Sequence, residues 1–506
     1  MSERRAELVD PRRGAGSAPL GRSRGSRKVA RRLTIVPCYE RITLMTGNDI
    51  FGRGAGAPPS LPAGSLPLGD YRPRWEEEPL RRMLAQMPVV VLSGARQVGK
   101  TTMLRHLEAT LRDSLSCRYI TLDDLSLAEQ ARDDPRSLWE GYDLVIIDEV
   151  QREPGLLRSV KMAVDEARWQ ALAPRTAGSG MLSGPSRAPR FVLSGSANLL
   201  LMQQVAESLA GRAAYLVLRP FTLGELAGQA TPPALLEALF AGRLPPPGPF
   251  ATCGADAYAY IGRGLMPALY SGLGFAEPRV WWNGYVTTYL ERDLRNLADV
   301  SSLVDFRRVM QALALRTGRL LNQAEVARDT TTSQATLSRW LNLIEAGHLA
   351  QRLPAYFSNR GKRLVKMTRL FWTDPGLPAF LTGLPPEGVE GSREAGPLFE
   401  NLVYHHLLVL AGLLDLPGRL YHWRTHAGAE VDFVIERGQD LVAFEVKSGR
   451  RVTYEDGRGL RGFMADNDNC RAGVVVYRGD EVIPLGSRVV AVPWEMVAGA
   501  SGWAST

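Results

Sequence analysis

Cysteine is scarce in this chain of 506 residues: Cys38, Cys117, Cys253 and Cys470 are scattered with no C-x-x-C spacing. That spacing excludes a zinc-ribbon site and a disulfide framework, and it points to a reducing compartment. There is no run of about 18 apolar residues to span a bilayer, and the charged N-terminus lacks the apolar core of a secretory signal. A soluble cytoplasmic protein with no membrane partner is the expectation, and an Arg-rich organelle leader is the alternative. Net charge is also nearly absent from most of the sequence. The total is +8, but residues 1–32 hold ten Lys or Arg against three acids, a balance of +7, which leaves 8 − 7 = +1 for the rest. A high pI carried by a tail says little about nucleic acid, so only local patches can speak for it in the folded part.

What is present is ordinary globular composition, 45% hydrophobic and 23% charged, over a length of several domains. Residues 1–70 are rich in Arg, Gly, Ser and Pro and read as a basic disordered tail, with Met45 and Met83 as other candidate starts. From Trp75 onward, short apolar runs near 88–94, 117–122, 144–147 and 191–194 alternate with helical stretches, the pattern of a parallel sheet flanked by helices. The Pro/Gly/Ser stretch 174–189 interrupts it as a surface loop. We divide the remainder into a P-loop domain (71–230), a helical connecting region (231–304), a helix-helix-hairpin module (305–383) and a last α/β domain (397–495).

The sharpest motif is Gly94-Ala95-Arg96-Gln97-Val98-Gly99-Lys100-Thr101, a G-x-x-x-x-G-K-T loop between a strand and a helix, with Thr102 following. Its glycines allow a tight turn whose amides encircle phosphate oxygens, and the next helix aims its positive end at the same place. Lys100 suits the β and γ phosphates, and the Thr101 hydroxyl suits Mg²⁺. Leu144–Ile147 then leads into Asp148-Glu149. A buried strand ending at the sheet's carboxyl edge presents Asp148 to hold the magnesium through water, and Glu149 fits a general base for the attacking water. Ser196, after the fourth strand, is a candidate γ-phosphate sensor, the alternative being a helix cap. Arg212 is a candidate to reach phosphates in cis or from a neighbouring subunit, the alternative being a surface salt bridge.

Gly94–Thr102, IIDEVQREPGLL, VLSGSANLLL, ESLAGR and RPFTLGEL together resemble a family of prokaryotic AAA-type ATP-binding proteins whose C-terminal half is a domain of unknown function. The similarity runs from about 75 to 495 and includes Tyr289–Leu294. It implies binding of ATP with Mg²⁺, and it names no substrate.

Residues 322–349 have the layout of a winged helix-turn-helix, with Leu337, Trp340, Leu341 and Ile344 as its core stripe. Arg352, Arg360, Lys362, Arg363, Lys366 and Arg369 follow with no acid among them, which favours DNA contact and a salt slope of about −0.9 per phosphate neutralised. Docking to a protein partner or to another copy of the chain is the alternative. In the last domain, two alternating runs flank Arg437-Gly438-Gln439-Asp440, a type II′ hairpin signal. Closure by Arg437 and Asp440 sets Asp432 opposite Glu445, with Lys447 on the same face. Opposed carboxylates in a sheet call for an offsetting charge, for which a divalent cation is the natural candidate. The constellation resembles the PD-(D/E)xK nuclease core of restriction-endonuclease-like domains, though no Pro precedes Asp432. That resemblance implies metal ligation by Asp432 and Glu445, water positioning by Lys447 and an accessory acid at Glu400. The alternative is an inert hairpin in which Lys447 only neutralises the pair. His422 and His426 are not read as a metal pair, and His405-His406 receives no role.

Overall fold

The computed structural model describes residues 71–172, 189–195, 208–254, 256–270, 277–288, 302–357, 367–425 and 428–500. The basic tail, the Pro/Gly/Ser insertion up to residue 188, Ser196, Tyr289–Leu294, Arg360, Lys362, Arg363, Lys366 and His426 lie outside the described residues.

Helix α1 (Glu77–Gln86) leads into strand β1 (Val89–Gly94), and helix α2 (Lys100–Leu111) follows the glycine loop. Strand β2 (Cys117–Thr121), helix α3 (Leu125–Asp133), strand β3 (Leu144–Asp148), helix α4 (Leu156–Leu172), strand β4 (Arg190–Ser194) and strand β5 (Ala213–Leu218) complete the first unit. The five strands are all parallel, in the order β2-β3-β4-β1-β5. Every residue of β1 and β3 is buried, as their unbroken apolar runs require of central parallel strands. The two-residue period sends Val90, Leu92, Ile146 and Val192 toward Met103, Leu104 and Leu107 of α2. It sends Val89, Val91, Val145, Ile147 and Phe191 toward Leu156, Val160 and Val164 of α4. Strand β5 has no counterpart in the sequence reading, because it lies at the sheet edge and only Leu216 and Leu218 of its six residues are buried.

The region read as a helical connector carries helices at Leu235–Phe240, Ala257–Arg263 and Pro278–Thr288, and also strand β6 (Gly248–Pro249), which pairs with the last sheet. Helices α5 (Leu303–Ala314), α6 (Gln323–Asp329) and α7 (Gln334–Ala346) then precede an antiparallel pair, β7 (Ala350–Leu353) and β8 (Arg369–Trp372). Each helix starts where the sequence supplies a cap: Ser302, Asn322 and Ser333 accept from the amides of Asp305, Glu325 and Thr336. Phe306, Trp340, Leu341, Ile344 and Trp372 belong to the same buried cluster as Leu92 and Met103. The boundaries drawn at 230 and 305 are therefore crossed by one continuous core, and this module packs directly on the P-loop sheet.

Helix α8 (Ala395–Leu413) and strands β9 (Arg419–Arg424), β10 (Glu430–Arg437) and β11 (Asp440–Lys447) open the last unit. Helix α9 (Arg458–Asp466) and strands β12 (Cys470–Tyr477), β13 (Glu481–Pro484) and β14 (Val489–Pro493) close it. The seven-stranded order is β6-β13-β14-β12-β11-β10-β9, with β9-β10-β11 antiparallel and β11-β12-β14 parallel. Phe433, Ile435 and Phe444 face α8, while Val434, Leu441 and Ala443 face α9. The β10–β11 register pairs Arg437 with Asp440 and Phe433 with Phe444. Gly438 has a φ of 65° and Gln439 does not share the positive region, as a type II′ turn requires.

Candidate functional site

The glycine loop closes on itself at the carboxyl end of β1. Gly94 has a φ of 147°, and a Cβ there would stand 2.3 Å from the Leu218 carbonyl oxygen of β5. Gly99, at φ 97°, turns the chain into α2. Gln97 also adopts a positive φ, 59°, and is exposed at the loop's mouth together with Thr101. A Gly94→Ala variant is expected to lose at least about 2 kcal/mol of stability, from backbone strain and a clash with main chain that has nowhere to move. Urea unfolding measures this directly.

Lys100 is buried, and its Nζ donates to the carbonyls of Gly94 (3.0 Å) and Ala95 (2.9 Å). Thr101 Oγ1 donates to Asp148 Oδ2 at 2.6 Å, so the loop and the end of β3 meet as their motifs require. Asp148 is only 1% exposed and also accepts from the Tyr119 hydroxyl at 2.7 Å and from the Glu149 amide at 3.1 Å. Glu149 sits in the left-handed region at φ 58°, and its carboxylate accepts from Gln151 Nε2. Burial raises the Glu149 carboxyl above its ordinary pKa, and the charge of Asp148 adds to this, while Gln151 and Lys100 oppose it.

Two further groups brace the loop. Arg74, 4% exposed, donates from Nη1 to the Val98 carbonyl (3.0 Å) and from Nε to Glu225 (3.0 Å), and it also reaches the Arg219 carbonyl. His348, at the end of α7, lies 3.2 Å from Ser93 Oγ, one residue before Gly94. Burial, then Arg219 and Lys100, pull the pKa of His348 down to about 4, so it is a neutral partner at pH 7.

Arg212 does not join this site in cis. It immediately precedes β5, whose first residue pairs with Val89, so it stands at the opposite edge of a parallel sheet from Gly94. There it forms a two-pronged pair with Asp165 of α4, at 2.6 and 2.8 Å. Ser194, the last residue of β4, is described where Ser196 is not; it is fully buried, and among the described residues its hydroxyl has no hydrogen-bond partner.

The acidic hairpin holds a cation that the sequence reading missed. Arg369 of β8 reaches into it, with Nη2 2.6 Å from Glu400 and Nη1 3.2 Å from Asp432, while Nε donates to the Gly318 carbonyl. Asp432 Oδ2 also accepts from the Val446 amide at 2.9 Å, one residue beyond Glu445. Lys447 Nζ lies 2.8 Å from Glu445 Oε1. Burial, then Asp432, push the Glu445 carboxyl up to about 7 against the pull of Lys447. Burial, then Asp432, also raise Glu400 well above the carboxylate range. Among the described residues no group of three His, Cys, Asp or Glu side chains is placed to hold a metal ion. A guanidinium thus sits between Glu400 and Asp432, and an ammonium beside Glu445, at the residues expected to hold a metal.

His405, His406 and His422 each bond to main chain. His406 Nε2 accepts from the Leu223 amide at 3.1 Å, which leaves Nδ1 to donate to the Leu402 carbonyl at 2.8 Å. His405 bonds the Phe221 carbonyl at 3.1 Å, so the doublet ties α8 to the segment after β5. His422 bonds the Met367 carbonyl at 3.2 Å. Among the described residues no helix is long and apolar enough to cross a membrane.

Residues 86–227 match a family described as an AAA domain. Residues 254–388 and 395–497 match two families each described as a domain of unknown function, DUF8612 and DUF4143. Uncharacterized proteins of Mycobacterium bovis and Mycobacterium tuberculosis are each 29% identical to the chain over 420 residues, 83% of this chain and 82% of theirs. The Walker-type ATPase of Pyrococcus abyssi is similar at 16% identity and a TM-score of 0.34, over 62% of this chain and 99% of that one. At that score the likeness carries no argument here. The segment holding Gly94–Thr101 and Asp148 therefore has an AAA-type P-loop fold, and the two segments after it match families without an assigned function.

Proposed function

We propose that the chain is a nucleotide-dependent switch that binds and hydrolyses ATP at the loop Gly94–Thr102. The observation that carries this reading is the Thr101–Asp148 bond, which joins the glycine loop to the end of β3, with Lys100 and Glu149 in the same two motifs. The groups fit a magnesium triphosphate: the hydroxyl of the exposed Thr101, the Asp148 carboxylate it donates to, and the buried Ser194 hydroxyl at the end of β4. Mg²⁺ would neutralise charge on the β and γ phosphates, with Thr101 as its ligand and Asp148 acting through Thr101 or water. Lys100 would exchange its two carbonyl partners for phosphate oxygens. Glu149 would take the proton of the attacking water, a task its raised pKa suits. Phosphate release by the purified chain, measured with and without DNA, tests the reading.

For the C-terminal half, the same proposal takes the module 305–383 as winged-helix-like and 397–495 as nuclease-like, and two readings follow. Active cleavage would need a divalent cation at Asp432 and Glu445. The Arg369 pairs favour the second reading, an inert nuclease-like domain that holds a protein partner or another copy of the chain under nucleotide control. DNA contact through the hairpin is weakened as well: Arg352 is engaged by Glu345 and Asn342, and Arg369 by the two acids. The expected result is no Mg²⁺- or Mn²⁺-dependent DNA cutting, by the wild type or by Glu445→Ala, in any nucleotide state. Cutting by the wild type that disappears in Glu445→Ala would restore the nuclease.

A further inference from the structure

Asp148 is held from two sides, and only one of them belongs to the nucleotide loop. Thr101 and Tyr119 both donate to the same oxygen, Oδ2, at 2.6 and 2.7 Å, while Oδ1 takes the Glu149 amide at 3.1 Å. A carboxylate offers about four acceptor sites, so three are already filled in a group that is 1% exposed. Such a carboxylate is poorly placed to enter a metal's first coordination sphere. It is well placed to fix a hydroxyl that does. Because Thr101 gives its proton to Oδ2, the lone pairs of Oγ1 remain to accept a cation.

The Tyr119 ring is itself fixed. The guanidinium of Arg105, one helical turn beyond Thr101 on α2, lies over it with Cζ 3.6 Å from the ring centroid. Tyr119 sits on β2, where it pairs in register with Ile146 of β3. The arrangement spans α2, β2 and β3 and meets the carboxylate at the same oxygen that Thr101 reaches.

We propose that Tyr119 is a positioning residue for the magnesium of the nucleotide site: its hydroxyl locks the Asp148 carboxylate in the orientation that turns Thr101 toward the metal. This rests on the ATP-binding reading above. Without the phenol, Oδ2 keeps one donor and the carboxylate can rotate, so Thr101 is oriented for the metal only part of the time. Binding of nucleotide through Lys100 and the loop amides does not depend on that orientation.

The test is a titration of Mg²⁺ into the full-length chain with a fluorescent, non-hydrolysable ATP analogue, for wild type, Tyr119→Phe, Asp148→Asn and the double variant. Tyr119→Phe is expected to raise the half-saturating Mg²⁺ concentration about five-fold or more. Analogue affinity in EDTA should stay within two-fold, as should the thermal midpoint within about 2 °C, which separates positioning from a structural role. In the Asp148→Asn background the second change should add nothing, because the two hydroxyls act through the one carboxylate. An unchanged or lowered Mg²⁺ requirement in Tyr119→Phe, or full additivity in the double variant, would overturn the proposal. Failure of the wild type to bind the analogue at all would instead remove the ATP-binding reading on which it rests.

Discussion

Replacing Lys100 with Ala is expected to weaken binding of Mg-ATP by about 100-fold or more. The Nζ group is buried and donates to two loop carbonyls, 3.0 and 2.9 Å away, at the place where the loop amides would receive a phosphate. Two hydrogen bonds from a charged donor, at roughly 1.5–3 kcal/mol each, correspond to two or more decades in affinity. The variant loses carbonyl partners in the nucleotide-free state as well, so its thermal midpoint must be measured beside its affinity. Calorimetric titration of the folded variant reads the effect, and unchanged affinity would remove the loop from the account.

The second large effect is expected at Arg369. Its side chain is 16% exposed, and those of Glu400 and Asp432 are 14% and 12% exposed, so solvent screens these pairs little. Arg369→Met keeps much of the length and removes the charge, leaving two adjacent carboxylates without their cation. Breaking a buried pair from one side costs about 3–5 kcal/mol. The pH dependence has a definite sign. Glu400 already has its pKa raised by burial and by Asp432, and losing the guanidinium raises it further, so folding of the variant favours the protonated acid. The deficit is therefore largest at high pH and shrinks as pH falls toward the unfolded carboxyl value. Urea unfolding at pH 8 and pH 5 should show a large and a reduced loss, respectively; stability within about 1 kcal/mol of wild type at both would contradict the ion-pair account.

Which features could be read from the chain follows from how local their causes are. The loop Gly94–Thr101 is one contiguous stretch, and Asp148 ends an apolar strand that can be read alone, so both are legible in the sequence. The β10–β11 register was legible for a similar reason: Gly438 between two alternating runs fixes the turn, and the turn fixes the pairs from Arg437–Asp440 out to Phe433–Phe444. Arg369 was counted among basic residues for DNA because nothing in its neighbourhood reveals Glu400 and Asp432, which approach it only through packing of β8 on the last domain. Tyr119, Arg74 and His348 were missed in the same way, since each meets its partner across a long stretch of sequence. Arg212, where the sequence leaves phosphate contact and a surface salt bridge both open, is a different case. With the weakly apolar strand β5 unread, there was no strand direction to show that the residue before it faces the amino edge of the sheet.

The most direct measurement is an experimental density map of the full chain crystallised with Mg²⁺ and a non-hydrolysable ATP analogue. The account predicts the triphosphate inside the Gly94–Thr101 loop, with Lys100 Nζ on phosphate oxygens and Thr101 Oγ1 on the metal. Asp148 should stand behind them, still accepting from Thr101 and Tyr119. A nucleotide bound elsewhere, or a metal coordinated away from Thr101 and Asp148, would contradict it.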